Sequence, residues 1–186
     1  MPEPARRVPY RSWPGALGVL AAIGLYVGGL MLWDRSLPAG SALASGQTVE
    51  VGPVRFLPVN DWWMDLSRTR AGQSLVLFRG RHRFVVSVGP WTGGPEGPAR
   101  RQRRLMERGQ GLRIDGDASG FFNGWGLQGD TFAYYGARVA GRFWQVVDVR
   151  RRLLLQVDCY GPNEDLDDVL QDAREMVESM DLDARS

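Results

Sequence analysis

Three features of the sequence predict an α+β fold, a central antiparallel β-sheet flanked by helices and preceded by a single N-terminal transmembrane helix. Runs of β-favouring residues are joined in pairs by short turns. An amphipathic helix closes the chain. Near the start, 22 consecutive positions, 12–33, carry no charge, against a requirement of roughly 20 for a helix crossing the hydrocarbon core.

That apolar stretch sets the topology. Within it, WPGALGVLAAIGLYVGGLMLW places Trp13 and Trp33 where the two membrane interfaces would lie, a position that favours amphipathic rings. Arg6, Arg7 and Arg11 precede it and only Asp34 and Arg35 follow closely, so the positive-inside bias puts the N-terminus in the cytoplasm. The reading is a cytoplasmic tail over 1–11, a membrane anchor over 12–34, a flexible linker over 35–47 and an extracytoplasmic domain over 48–186. Localisation follows as a single-pass inner or plasma membrane protein. A cleaved signal peptide is the rival, since Ala42-Leu43-Ala44 has the small-x-small pattern that precedes cleavage. The length of the apolar stretch and the Asp34-Arg35 pair favour the uncleaved anchor.

Composition narrows the function classes. All 23 basic residues are arginine, which reads as a compositional bias of the source. Residues 48–113 hold 12 Arg and 5 acids, whereas 114–186 hold 7 Arg and 14 acids. The two halves carry opposite charge and should complement one another, while the basic half suits an anionic lipid or envelope polymer. An outward location disfavours nucleic acid. One cysteine, Cys159, excludes an intramolecular disulfide, and its alternating apolar surroundings make it a buried structural thiol.

The elements follow in order. Short strands are expected at 48–51 and 54–57 around Gly52-Pro53, then the Trp62-Trp63 pair, at least one of which belongs in the core. Segments 73–78 and 82–88 form a hairpin through Arg79-Gly80-Arg81, with Phe84, Val86 and Val88 on its buried face. A loop rich in breakers, WTGGPEGP, leads to a helix over 99–108. On that helix Arg100, Arg101, Arg104 and Arg108 offer an anion or partner contact, because guanidinium groups match phosphate and carboxylate. A short strand at 112–115 precedes a glycine- and aromatic-rich loop over 116–129, and β character resumes at 131–135. Segments 142–149 and 152–159 form a second hairpin. Asn163 is the expected N-cap of the last helix, where Leu166, Val169, Leu170, Ala173, Val177 and Met180 recur at helical spacing.

Candidate chemistry is sparse. Gly124-Trp125-Gly126-Leu127-Gln128-Gly129 has the dinucleotide pattern, but a strand follows where a helix is needed, so these glycines read as turns. Asp115, Asp117, Ser119 and Gly120 imitate the start of a calcium loop, yet Gly126 stands where the bidentate glutamate belongs. His82 is the single histidine, without a nucleophile or orienting group legible beside it. No catalytic residue, cofactor or metal site is expected.

The order of a helix over 99–108, the closing strands in GRFWQVVDVRRRLLLQVDCYGP and a final amphipathic helix resembles the Mog1/PsbP-like family of α/β/α sandwiches over 48–182. A cystatin- or NTF2-like curved sheet is the competing architecture. The Mog1/PsbP resemblance implies helices on both faces of the sheet and non-enzymatic accessory or partner-binding work, and carries over no site residue. Three functions remain open at this level. They are an accessory domain binding an envelope protein, a carrier of lipid or small apolar ligand, and a small envelope hydrolase using His82, with Trp62, Trp63, Phe121, Phe122 and Trp125 offering either the walls of an apolar ligand pocket or a partner contact.

Overall fold

The computed structural model describes residues 19, 23–24, 26–27, 40–44, 46–94, 97–109 and 111–182. The chain divides into two compact units, Met1–Pro38 and Ala39–Ser186. In the first, the described positions Val19, Ile23, Gly24, Tyr26 and Val27 are helical; the rest of the expected anchor and the tail before it lie outside the described residues. Among the described residues no helix is long and apolar enough to cross a membrane.

The second unit is built on an eight-stranded antiparallel sheet. Its strands are β1 (Ser41–Ala42), β4 (Trp63–Met64), β5 (Ser74–Arg79), β6 (His82–Pro90), β7 (Arg113–Phe122), β8 (Gln128–Tyr135), β9 (Ala140–Asp148) and β10 (Leu153–Gly161), in the spatial order β1-β4-β5-β6-β10-β9-β8-β7. A smaller sheet pairs β2 (Val49–Val51), β3 (Val54–Phe56) and β11 (Asp181–Leu182) in the order β11-β3-β2. Helices α1 (Gly97–Gly109) and α2 (Leu166–Glu178) complete the fold.

Strand period and cross-strand register assign the two faces. Leu155, Val157 and Cys159 stand opposite Val88, Val86 and Phe84, and directly opposed residues share a side of the sheet. This face packs with Val169, Ala173, Met176 and Val177 of α2, with Val49, Val51, Val54 and Phe56 of the small sheet, and with Trp62. On the other face, Phe132, Tyr134 and Phe143 enclose Met106 of α1. Helices therefore flank the sheet on both sides. Three ion pairs, Arg55–Asp181, Arg79–Asp172 and Arg81–Glu164, join the basic and acidic halves of the domain.

Several local expectations need correction. Ser41–Ala42, read as linker, form edge strand β1 against β4, and Leu43 packs on the core. The loop expected over 116–129 is strand as far as Phe122, within β7, whose register with β8 shifts between Asp115 and Ser119. Extra backbone there bulges from the strand. Among the described residues no group of three or more His, Cys, Asp or Glu could hold a metal. The N-cap of α2 is Asp165, in the left-handed region at φ 58 without a side-chain cap bond, and not Asn163. Finally, the helix stops at Glu178: Ser179 caps it, with its hydroxyl donating to the Met176 carbonyl at 2.7 Å. Met180 is buried beyond the helix end and leads into β11.

Candidate functional site

Between β7 and β8 the chain reverses through Asn123-Gly124-Trp125-Gly126-Leu127, and Asn123 organises the reversal. Its side chain is buried. The carboxamide nitrogen donates to the carbonyls of Val177 at 3.1 Å and Met180 at 2.8 Å, at the C-terminal end of α2. Its oxygen accepts the amides of Trp125 at 3.1 Å and Leu127 at 2.9 Å. Both donor and acceptor ends are used, which fixes the orientation of the amide and brings a donor to carbonyls at the helix end. Gly126 takes φ +84 to close the turn, a conformation that glycine adopts without steric cost.

This turn holds two aromatic rings in solvent. Phe121 turns inward against the core and Leu127 is buried, whereas Phe122 is 68% and Trp125 64% exposed. Backbone rigidity with large exposed rings is the composition of an interaction hot spot, since little side-chain entropy is lost when such rings are covered. The site lies beside β7, the sheet edge opposite β1.

The five aromatic residues read as possible ligand walls are not brought to one cavity. Trp62 is 2% exposed, stacks edge-on against Phe84 and donates its indole N–H to Asp172 at 2.9 Å, whereas Trp63 is 45% exposed. An apolar gap lined by Phe121, Leu127, Trp144, Val146 and Met180 admits no sphere the size of a water molecule. On α1, Arg100, Arg101, Arg104 and Arg108 are exposed. Arg103 folds inward instead, over the Phe132 ring at 6.0 Å, and donates to the Gly116 carbonyl at 3.2 Å.

His82 lines a groove of ≈ 350 Å³ with Arg79, Arg81, Glu164, Asp165 and Asp168. Its Nε2 lies 3.0 Å from the Pro162 carbonyl. A carbonyl only accepts, so Nε2 carries the proton and donates it there, which removes that nitrogen as a base. Gly161 makes room for the ring, for a Cβ there would lie 2.2 Å from His82 Cδ2.

A part-buried polar pair on the α1 face escapes sequence reading. Tyr134 donates its hydroxyl to Asp158 Oδ1 at 2.7 Å. Burial pushes the Asp158 carboxyl up to about 7, against the opposing effect of the Tyr134 hydrogen bond. Burial, and then the Asp158 charge, raise the Tyr134 phenol. Burial likewise raises the thiol of Cys159. An unfolded aspartate titrates near 4, so between about pH 4 and 7 the native state keeps a proton that the unfolded chain releases. The contribution of Asp158 to stability is full below about pH 4 and declines as pH rises to 7. Asp158→Asn keeps an acceptor for Tyr134 and is expected to flatten this decline and gain stability over wild type at pH 8. Urea midpoints of both proteins at pH 5 and pH 8 check it.

No family model matches the chain, and no curated protein matches it either. Solved structures do. The solution structure of cyanobacterial PsbP (CyanoP) from Synechocystis sp. PCC 6803 aligns with TM-score 0.55 at 15% identity, over 79% of this chain and 98% of that one. A protein of Bacteroides thetaiotaomicron aligns with TM-score 0.50 at 12% identity over 76% of this chain, which spans 50% of that protein's length. The Saccharomyces cerevisiae Ran-binding protein Mog1p aligns with TM-score 0.49 at 10% identity, over 73% of this chain and 95% of that one. With an antiparallel sheet between α1 and α2 and a full-length match to CyanoP, the second unit of this chain has the Mog1/PsbP-like fold.

Proposed function

We propose that this chain is a non-catalytic accessory domain, held by residues 12–34 at the outer face of the inner or plasma membrane, that binds an envelope protein through the Phe122–Trp125 turn. The observation that carries the reading is the display of two large aromatic rings on a turn bound at four points by Asn123. Rings that served only folding would be buried, and exposed apolar patches on a rigid support mark contact surfaces. The inward packing of Phe121 and Trp62 and the filled core disfavour the carrier reading. The bond from His82 to Pro162 disfavours the hydrolase reading.

The tether is supported by the uncharged apolar stretch and by its helical described positions, of which Val19, Ile23, Tyr26 and Val27 are exposed. Edge strand β1 and Leu43 also belong to the fold, so cleavage near Ser45 would strip a strand from the sheet. That favours anchor over signal peptide. Sodium carbonate extraction should leave the chain in the membrane pellet; release into the supernatant would refute the anchor.

Replacing both rings tests the contact. Phe122→Ser with Trp125→Ser should change the melting temperature by less than about 2 °C, because exposed positions away from buried networks move stability little. The same double variant should lose co-purification of its partner from detergent-solubilised membranes. Undiminished co-purification would refute the site.

A further inference from the structure

A second exposed patch lies where the chain enters the sheet, on the edge opposite the Phe122–Trp125 turn. Ala42 of β1 faces Trp63 of β4, and Ser41 faces Met64. Gly40, the residue before β1, continues beside the end of β4. Close packing confirms the path, as a Cβ on Gly40 would lie 2.8 Å from the Met64 carbonyl and 2.7 Å from the Phe78 ring.

The segment beside this exit is a rigid turn. Asp65 Oδ1 accepts the amides of Ser67 at 3.1 Å and Arg68 at 3.3 Å and the Ser67 hydroxyl at 2.6 Å. Arg70 pairs with Ser74 through both backbone bonds. These bonds hold the Asp65 carboxyl below the usual carboxylate range, with the Ser67 hydroxyl contributing most. What the turn shows to solvent is Trp63 at 45%, Leu66 at 60%, and the side chains of Arg68 and Arg70. Asp65 is 8% exposed and its Oδ2 lies 3.8 Å from Arg68, so it offsets part of that arginine's charge from within the turn.

We propose that Trp63, Leu66, Arg68 and Arg70 form a bilayer-docking surface for anionic phospholipid. The inference rests on the membrane tether proposed above. Chain length points to lipid as the occupant. Seven residues, 34–40, separate the apolar stretch from β1, and fully extended they span at most about 25 Å. That length keeps the edge that receives the tether within reach of the headgroups. Composition agrees. Tryptophan favours the interface, leucine adds apolar burial, and arginine near an anionic surface contributes about 1 kcal/mol each. Docking here would orient the sheet and turn the Phe122–Trp125 site away from the membrane, toward a partner.

Environment-sensitive fluorophores on the full-length chain test this. Leu66→Cys and, separately, Trp125→Cys are labelled and reconstituted into phosphatidylcholine vesicles containing phosphatidylglycerol and a nitroxide lipid. Wild type is the labelling blank, since its Cys159 is fully buried. The probe at 66 should be quenched at least threefold more than the probe at 125. Equal quenching at both positions, in chains that float with the vesicles, overturns the docking surface while the tether stands. Failure to float overturns the tether and the docking surface together. Protection of position 66 in native membranes but not in lipid vesicles would assign the patch to a protein and overturn lipid as its occupant.

Discussion

Asn123→Ala is expected to lower the unfolding free energy by about 3 kcal/mol, a loss of roughly 10 °C in melting temperature for a domain of this size. The substitution takes the side-chain partner from the Met180 carbonyl and from the amides of Trp125 and Leu127, while the Val177 carbonyl keeps the Met180 amide at 3.1 Å. A buried group left unsatisfied costs about 1–3 kcal/mol. Water replaces some of the bonds at the exposed Trp125, which holds the total below the simple sum. Asn123→Asp should be no better than alanine, for it retains the acceptors but sets a carboxylate against two carbonyl oxygens. Equilibrium urea unfolding measures both, and an unchanged slope with a lower midpoint is the expected form. A loss below about 1 kcal/mol would mean that the turn does not depend on this side chain.

Gly129→Ala is the second large effect, with an expected loss of about 4 kcal/mol. Gly129 faces Val146 across the β8–β9 ladder and Phe121 across β7–β8. A Cβ at this position would lie 1.9 Å from the Gln145 carbonyl oxygen, 2.8 Å from its carbon and 2.9 Å from the Phe121 ring. Two of these three neighbours are backbone in the middle of a sheet. They cannot swing aside as a long side chain would, so the strands must separate or the register must break. The controls sit nearby in sequence. A methyl group at Gly124 would meet nothing within 4 Å, and at Gly120 the nearest atom is the Gly129 carbonyl at 3.9 Å. Alanine there should cost no more than about 1 kcal/mol, the ordinary difference between the two residues. Equal losses at all three positions would refute the close-approach argument.

These glycines mark the limit of what the sequence carries. The pattern Gly124-x-Gly126-x-x-Gly129 reads as turn glycines; Gly124 and Gly126 do lie in the turn between β7 and β8, whereas Gly129 is already in β8. Its three members nevertheless have different reasons. Gly126 supplies a positive φ, Gly129 admits a neighbouring backbone, and no contact constrains Gly124. Asn123-Gly124 between apolar runs is a turn signal, but the carbonyls that accept from the Asn123 carboxamide nitrogen lie more than fifty residues away at the end of α2. Local sequence does not encode such a contact.

The longer elements are legible because they are periodic. The alternation of Phe84 and Val86 and of Leu155, Val157 and Cys159 reveals their buried face directly, and the stripe on α2 does so at helical spacing. Two-residue strands such as β1, β4 and β11 present no period, so 41–42 reads as linker until β4 is beside it. At the start of α2 several residues can cap, and Asp165 occupies the place expected of Asn163 because the chain turns through a left-handed residue there. Trp62 and Trp63 illustrate the same point. Trp62 lies just before β4 and Trp63 within it, and only the fold decides which one meets Phe84.

The claim that the Phe122–Trp125 turn is the partner contact is tested most directly by a photoreactive benzophenone amino acid placed at position 125 of the full-length chain in intact cells. A second chain carries it at Val149, which is 56% exposed in the β9–β10 turn. Irradiation from position 125 should yield one discrete crosslinked species, absent from position 149 and lost when Phe122→Ser is added. The same species from both positions, or no adduct from position 125, would contradict it.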